Sequence, residues 1–460
     1  MAVGDTNLFF NRDTKVYLAQ GGVIWELPIL NGYSFSQNTN SSNITLSEMS
    51  DQFGRSRRGQ RVFNDSLAPA EWSFDIYARP TVVSTYHRAP EEALWNSLFS
   101  SRNFVVANST TGYGAVSGAT SFSQIGTSGT YAITLTLPSD MTTKLSVGDA
   151  INVSGITGTN PPNGNFTVTA VTATSVSYTA ALAGAPSALV YTSAIARSGT
   201  AASTTSQIDF SPLGSNKSSL ATFDLYFVLG ANKVLTEGGT ANYTATDATT
   251  IYKVSECCVN EATMNFDVEG ISTVSWSGMG KLISEQAAYD ASAALQIGLA
   301  SNSNMIRNRL TSATLVGVNP TQVAKTYNIT LTGGSITISN NMSFLTPESL
   351  GVVNTPLGHV TGGRSVTGSL TCYADELDNG SIELYEDMLL ATTSVTNKFQ
   401  LAINVGGGTA PYVQFDMGQC HLEVPSVNID DVIGYEVNFT ALPSSISGTD
   451  ELNKVRYVGV

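Results

Sequence analysis

Apolar residues return at every second position along most of the chain, between stretches of Gly, Asn and Ser. This is the pattern of strands with one buried face. Phe399, Leu401, Ile403 and Val405 alternate with Gln400, Ala402 and Asn404, and Tyr435, Val437 and Phe439 alternate around Glu436 and Asn438. Ile336 and Ile338 lie in the same way among Ser335, Thr337 and Ser339. The pattern predicts a mainly β protein of half-buried antiparallel sheet. Helical spacing is convincing in two short places. Leu94, Trp95 and Leu98 share one face of 91–99, which Pro90 opens, and Ile382, Tyr385, Met388 and Leu389 share one face of 381–390.

Two similar helices in a strand-rich chain suggest an internal repeat. Phe223-Asp-Leu-Tyr-Phe-Val-Leu-Gly230 aligns with Phe399-Gln-Leu-Ala-Ile-Asn-Val-Gly406, each following one of the helices. Further on, a single ungapped offset places Tyr252 on Phe415, Cys257 on Cys420, Asn265 on Asn428, Asp267 on Asp430, Val274 on Val437 and Trp276 on Phe439. Upstream of the helices, Ser73-Phe-Asp-Ile-Tyr-Ala78 matches Ser369-Leu-Thr-Cys-Tyr-Ala374. Three blocks in one order imply duplication. The first copy takes 1–102 and 206–284, the second 305–460, and the alanine-rich linker 285–304 is expected to be partly helical.

The first copy is longer because 103–205 is inserted after its helix. From 103 to 200 the charged residues are Asp140, Lys144, Asp149 and Arg197 alone. Strand-like 131–137, 150–153, 166–171 and 175–178, with a turn-rich 155–164, predict a small Ig-like β-sandwich at a loop tip, where insertion disturbs the host least.

Composition narrows the function. The 460 residues are 42% hydrophobic and 13% charged, with a net charge of −14, which excludes both a disordered polyelectrolyte and a basic nucleic-acid binder. No apolar run approaches the roughly 20 residues of a spanning helix, and 1–10 lacks the pattern of an export signal. Four cysteines are too few for a disulfide framework; adjacent Cys257 and Cys258 would face opposite ways on a strand, and neither Cys372 nor Cys420 has a CxxC partner. Three scattered histidines, His87, His359 and His421, give no metal spacing and little general-base capacity. GxSxG, P-loop and GxGxxG motifs are missing, and the acidic stretches 375–378 and 430–431 lack EF-hand spacing. These features predict no enzyme, no cofactor and no metal.

One basic cluster stands out, Arg55-Ser-Arg-Arg-Gly-Gln-Arg61 in a long polar loop. As a solvated loop it needs no function. Arg55, Arg57, Arg58 and Arg61 also suit bidentate pairing with carboxylates of a neighbouring copy, and the corresponding loop of the second copy, 345–363, has no such cluster.

Tyr33-Ser-Phe-Ser-Gln-Asn-Thr-Asn40, Ile44-Thr-Leu-Ser-Glu-Met49, the arginine loop, Val62-Phe-Asn-Asp-Ser-Leu-Ala-Pro-Ala-Glu-Trp-Ser-Phe-Asp-Ile-Tyr-Ala-Arg-Pro80 and the Leu94-Trp95 helix resemble tail tube (major tail) proteins of tailed bacteriophages. The second copy keeps the outline with weaker motifs. The resemblance implies two tandem tube-type β-sandwich or barrel domains, each with one short helix, in a structural subunit of the virion tail that assembles in the host cytoplasm. It implies homo-oligomeric rings, trimeric with pseudo-sixfold symmetry, stacked into a tube that conducts viral DNA without reading its sequence. Its other partners would be tape-measure and terminator proteins and, if the tail is contractile, a sheath protein. The arginine loop would then set inter-ring or subunit contacts, and polar strand positions such as Gln400, Asn404, Glu436 and Asn438 are candidates for the lumen. The rival reading is a phage or bacterial surface adhesin whose Ig-like module binds carbohydrate.

Overall fold

In the computed structural model the described residues are 8–44, 53, 61–83, 86–101, 104, 116–117, 121–126, 129–137, 147, 150–199, 201–203, 207–212, 219–231, 242–246, 249–299, 301–317, 325–346, 354–390, 399–429, 432–446 and 448–460. They form a mainly β protein in which nineteen strands join into one hydrogen-bonded system and seven more form a separate sheet. No described helix is long and apolar enough to cross a membrane.

The strand Thr250–Asp267 organises the first half. Its opening residues pair with Phe223–Leu229 on one side and Leu282–Gln286 on the other, and its closing residues pair with Thr273–Gly280 and Leu331–Ser339. Between these stretches Glu256 has φ +50°, and the ladder to Phe223–Leu229 slips between Phe223 and Leu225. A bulge bends a strand and re-aims its side chains. One strand therefore serves two sheets of a sandwich. Val23–Leu27 and Lys15–Gln20 extend the first sheet beyond Phe223–Leu229, while Ser34–Ile44 and Arg61–Tyr77 extend the second beyond Thr273–Gly280.

The second half repeats this plan. Lys325–Asn328, Ser312–Gly317, Phe399–Val405, Tyr412–Leu422 and Lys454–Val458 make one sheet; Leu331–Ser339, Ser365–Tyr373, Ile433–Ala441 and Ser426–Ile429 make the other. The bulge recurs in register. Phe223 faces Cys257 and Leu225 faces Val254, just as Phe399 faces Cys420 and Leu401 faces Met417. The ungapped alignment fails past the next turn, however. Asn265 faces Thr273 but Asn428 faces Gly434, because the second hairpin is two residues shorter. Trp276 thus corresponds to Val437 and Gly278 to Phe439, rather than Val274 to Val437 and Trp276 to Phe439.

In this correspondence the two halves exchange residue sizes across one strand pair. Trp72 lies opposite Gly278 in the first half, and Gly368 lies opposite Phe439 in the second. A Cβ on Gly278 would collide with the Trp72 indole and the Cys258 carbonyl oxygen; one on Gly368 would meet the Phe439 ring and the Ser335 carbonyl oxygen. Each pair holds one ring and one hydrogen atom in place of a side chain. The ring has changed strands.

Helix α1 (Glu92–Phe99) is buried along its whole length, and its Trp95 packs edge-on to Trp276 at 4.8 Å and against Phe415 and Tyr457 of the other half. Helix α2 (Ser381–Leu390) is buried on one side only, through Leu384 and Met388, with Leu389 exposed. One hydrophobic core runs through both halves, whereas the inserted segment has its own, built on Tyr131, Ile133, Leu135, Ile151, Val168, Val176 and Tyr178. The insert's turn is shorter than its glycines suggest. The strand Ala150–Thr159 continues through Gly155 and Gly158, and Asn163 closes the turn by bonding both the amide and the carbonyl of Ile156. The linker departs from expectation too. Within 285–304 the described residues contain no helix, and strands Leu282–Gln286 and Ala288–Asp290 occupy its start, because pairing to Thr250–Asp267 and Asn242–Thr244 outweighs alanine's helix propensity.

Overpacking of this kind costs about 1–3 kcal/mol. Gly278→Ala and Gly368→Ala are each expected to lower stability by about that much in denaturant unfolding, while Gly358→Ala, which meets nothing within 4 Å, stays near the parent. Equal midpoints for all three would show that the close approach is unimportant.

Candidate functional site

The second sheets of the two halves are joined edge to edge. Glu261–Asp267 and Gly333–Ser339 pair antiparallel over seven residue pairs, and Thr263 Oγ1 lies 3.0 Å from Thr337 Oγ1 across the joint. The result is one eight-stranded antiparallel sheet, in the order Ser34–Ile44, Arg61–Tyr77, Thr273–Gly280, Thr250–Asp267, Leu331–Ser339, Ser365–Tyr373, Ile433–Ala441, Ser426–Ile429. Strand alternation sends Trp72, Phe74, Trp276, Met264, Ile336, Leu370 and Val437 into the core. The other face is polar. Thr440, Thr367, Thr337, Thr263, Ser275 and Asp75 stand in one row across six strands. Glu71, Glu261, Asp267 and Glu436 share that face, and Lys and Arg do not occur in its stretches 34–37, 71–77, 261–267, 273–279, 333–339, 365–373, 426–429 and 433–440. The formal charge of these stretches is negative.

Glu436 and Asn438 lie on this face, opposite Thr371 and Ser369. Gln400 and Asn404 do not. They belong to the other sheet, opposite Val316 and Ser312, so the four polar positions chosen from sequence divide between two layers. Strict alternation is common to both layers, and nothing local tells them apart.

Arg55, Arg57 and Arg58 lie outside the described residues. Arg61 opens its strand with its backbone paired to Ile44, and its side chain is likewise outside them. Before Ala70 the strand Arg61–Tyr77 has no partner in Thr273–Gly280 among the described residues, and with Ser34–Ile44 it runs on as a two-stranded ribbon, touched by a parallel bridge between Ser66 and Asn354. The second half has a counterpart in the hairpin Ser343–Leu345 and Gly358–Val360, and the two arms touch where Leu67 N donates to Asn354 O at 2.8 Å. Phe63, Leu345 and Leu357 are exposed on them.

A second joint between the halves was illegible in sequence because its members are remote along the chain. Lys454–Val458 pairs with Ile208–Phe210, and Arg456 grips Asp209 with Nε and Nη2 at 2.7 and 2.9 Å. Beside it Tyr457 donates to Glu91 Oε1 at 2.8 Å and accepts from Trp95 Nε1 at 2.8 Å. Burial, only partly offset by the Tyr457 hydrogen bond, pushes the Glu91 carboxyl up to about 7. Nearby, Arg88 and Glu92 form a buried ion pair to which Trp25 Nε1 also donates. The four cysteines are free and buried; burial pushes the Cys258 and Cys420 thiols up to about 12. Cys257 faces the main core and Cys258 the opposite side, against Leu220 and Met342.

No family model matches the chain. It is similar to tail tube protein pb6 of Escherichia phage T5, with 27% identity over 439 residues, which is 93% of this chain and 69% of that protein. Similarity over nearly the whole length supports a structural subunit of a phage tail tube in the virion, with a mainly β fold.

The Glu91 carboxyl binds a proton in the folded chain that the unfolded chain releases above about pH 4.5. Stability from this site is therefore present at low pH and is lost as pH rises through about 7, by up to about 3 kcal/mol. Glu91→Gln keeps an acceptor for Tyr457 and removes the titration. Denaturant unfolding should show the parent losing stability relative to the variant between pH 5 and pH 8; a constant difference would refute the assignment.

Proposed function

We propose that this chain builds the tail tube as stacked rings of three copies, with the eight-stranded acidic face turned inward to the DNA path. The observation that carries this reading is the sheet itself, two repeated four-stranded halves laid edge to edge whose two outermost strands, among the described residues, each pair on one side only. An open edge invites pairing, and closing a ring removes it. Number follows from spacing. With about 4.8 Å between strands and a tilt of about 35–45°, three copies give a backbone diameter of about 45–52 Å, and two copies about 30–35 Å. Side chains on both walls leave two copies barely the width of a hydrated duplex. Three leave clearance. The units in this reading are 1–102 with 206–284, and 305–460, each contributing four strands, with 103–205 carried as a separate module.

A conduit must not hold its cargo. Phosphate contacts from Lys or Arg release counterions and bind DNA without sequence preference, so carboxylates and hydroxyls suit passage of any sequence. Replacing Glu71, Asp75, Glu261 and Glu436 together by Lys should leave tubes intact in negative-stain images and slow DNA release from assembled particles, most strongly at low salt. Unchanged release kinetics would argue that this face does not line the path.

The ribbon ending in the arginine loop is the natural reach to the next ring. Changing Arg55, Arg57, Arg58 and Arg61 to Ser should give soluble rings that fail to stack, read by sedimentation and electron microscopy. Full-length tubes from that variant would remove the loop from the stacking contact.

A further inference from the structure

The joint inside the chain predicts the joint between chains. Ser34 corresponds to Ser335 and Ser73 to Ser369, since Ser34 faces Ser73 and Ser335 faces Ser369, with hydroxyl oxygens 2.8 and 3.4 Å apart. Likewise Thr263, Met264, Asn265 and Phe266 correspond to Ser426, Val427, Asn428 and Ile429 by their common offset from the paired bulges and hairpins. In the first half this outgoing segment is covered by Leu331–Ser339, and Met264 and Phe266 are 1% and 3% exposed. In the second half the same positions have no strand beside them among the described residues. Val427 and Ile429 are 46% and 79% exposed. At the other end of the sheet, Ser34–Ile44 is the counterpart of Leu331–Ser339, and among the described residues it pairs on one side only.

We propose that Ser426–Ile429 of one copy pairs antiparallel with 33–36 of the next, in the register Ser426 to Ser36, Val427 to Phe35, Asn428 to Ser34 and Ile429 to Tyr33. This rests on the ring reading and adds its seam. The occupant is a second copy of the chain, because the covered edge and the covering strand are both already present, one at each end of the same sheet. Packing size agrees. Inside the chain Phe266 covers Gly334, with ring atoms where a glycine Cβ would stand; at the seam the smaller Ile429 meets the larger Tyr33. Met264 against Ile336 becomes Val427 against Phe35, again moving volume from one strand to the other. On the polar side the Thr263 and Thr337 hydroxyls are replaced by those of Ser426 and Ser36. The contact is head to tail, and such a heterologous interface repeats until the ring closes.

Cysteines directly opposite in an antiparallel pair lie within disulfide reach, and a slip of two residues moves them to about 7–8 Å. Asn428→Cys with Ser34→Cys, in the otherwise unchanged chain and oxidised after assembly, should give covalent dimers and closed trimers on denaturing gels. The yield should be at least about fivefold above that of Asn428→Cys with Ser36→Cys. Each single variant should give none. Ile429→Asp should leave a monomer with unaltered circular dichroism that forms no rings, since Ile429 contributes little to the core of the single chain. Rings in electron micrographs together with cross-linking favouring the slipped pair, no cross-linking, or rings from Ile429→Asp would overturn this seam while leaving the tube reading intact. A parent protein that forms no rings at all would overturn both.

Discussion

The antiparallel ladder between Glu261–Asp267 and Gly333–Ser339 is the interaction on which the rest depends. It fuses two four-stranded sheets into one surface and fixes their relative position to a single residue. A slip of one residue would turn every side chain to the wrong face, so burial of Met264 and Ile336 on one side holds the hydroxyl row on the other in place. The acidic face, the placing of α1 between halves and the alignment of the two outermost strands all follow from that register.

Around this ladder the two halves differ by compensating exchanges. Trp72 against Gly278 and Gly368 against Phe439 fill the same space with the large residue on opposite partners. Cores tolerate such exchanges when total volume is kept. The polar side shows less change, with Ser34 and Ser73 matched by Ser335 and Ser369 in the same relation. The helices differ more. With Lys454–Val458 and Ile208–Phe210 beside it, α1 is enclosed, whereas α2 keeps an exposed side.

Much of the fold could be read from the chain, because alternation at positions such as Phe399 to Val405 and a 3.6-residue period at Leu94, Trp95 and Leu98 are local signals. The paired blocks gave the repeat for the same reason. What failed was whatever depends on partners far away. Alanine content suggested helix in 285–304, but a waiting strand edge decided otherwise. An ungapped alignment could not see a hairpin two residues shorter, and so it matched Trp276 with Phe439. Alternation marked Gln400 and Glu436 equally, although they stand in different layers. Glu91, Tyr457, Asp209 and Arg456 carry no motif, and only folding unites them.

Thr250–Asp267 crosses from one sheet to the other without a break, turning at Glu256, and Tyr412–Leu422 does the same in the second half with the same bulge. Mechanically this differs from two slabs held by side chains. Packed layers can shear past each other, but an unbroken backbone transmits tension along its covalent bonds. A force applied to one sheet would therefore reach the other through these corner strands, so the two layers would stretch or twist as one elastic body.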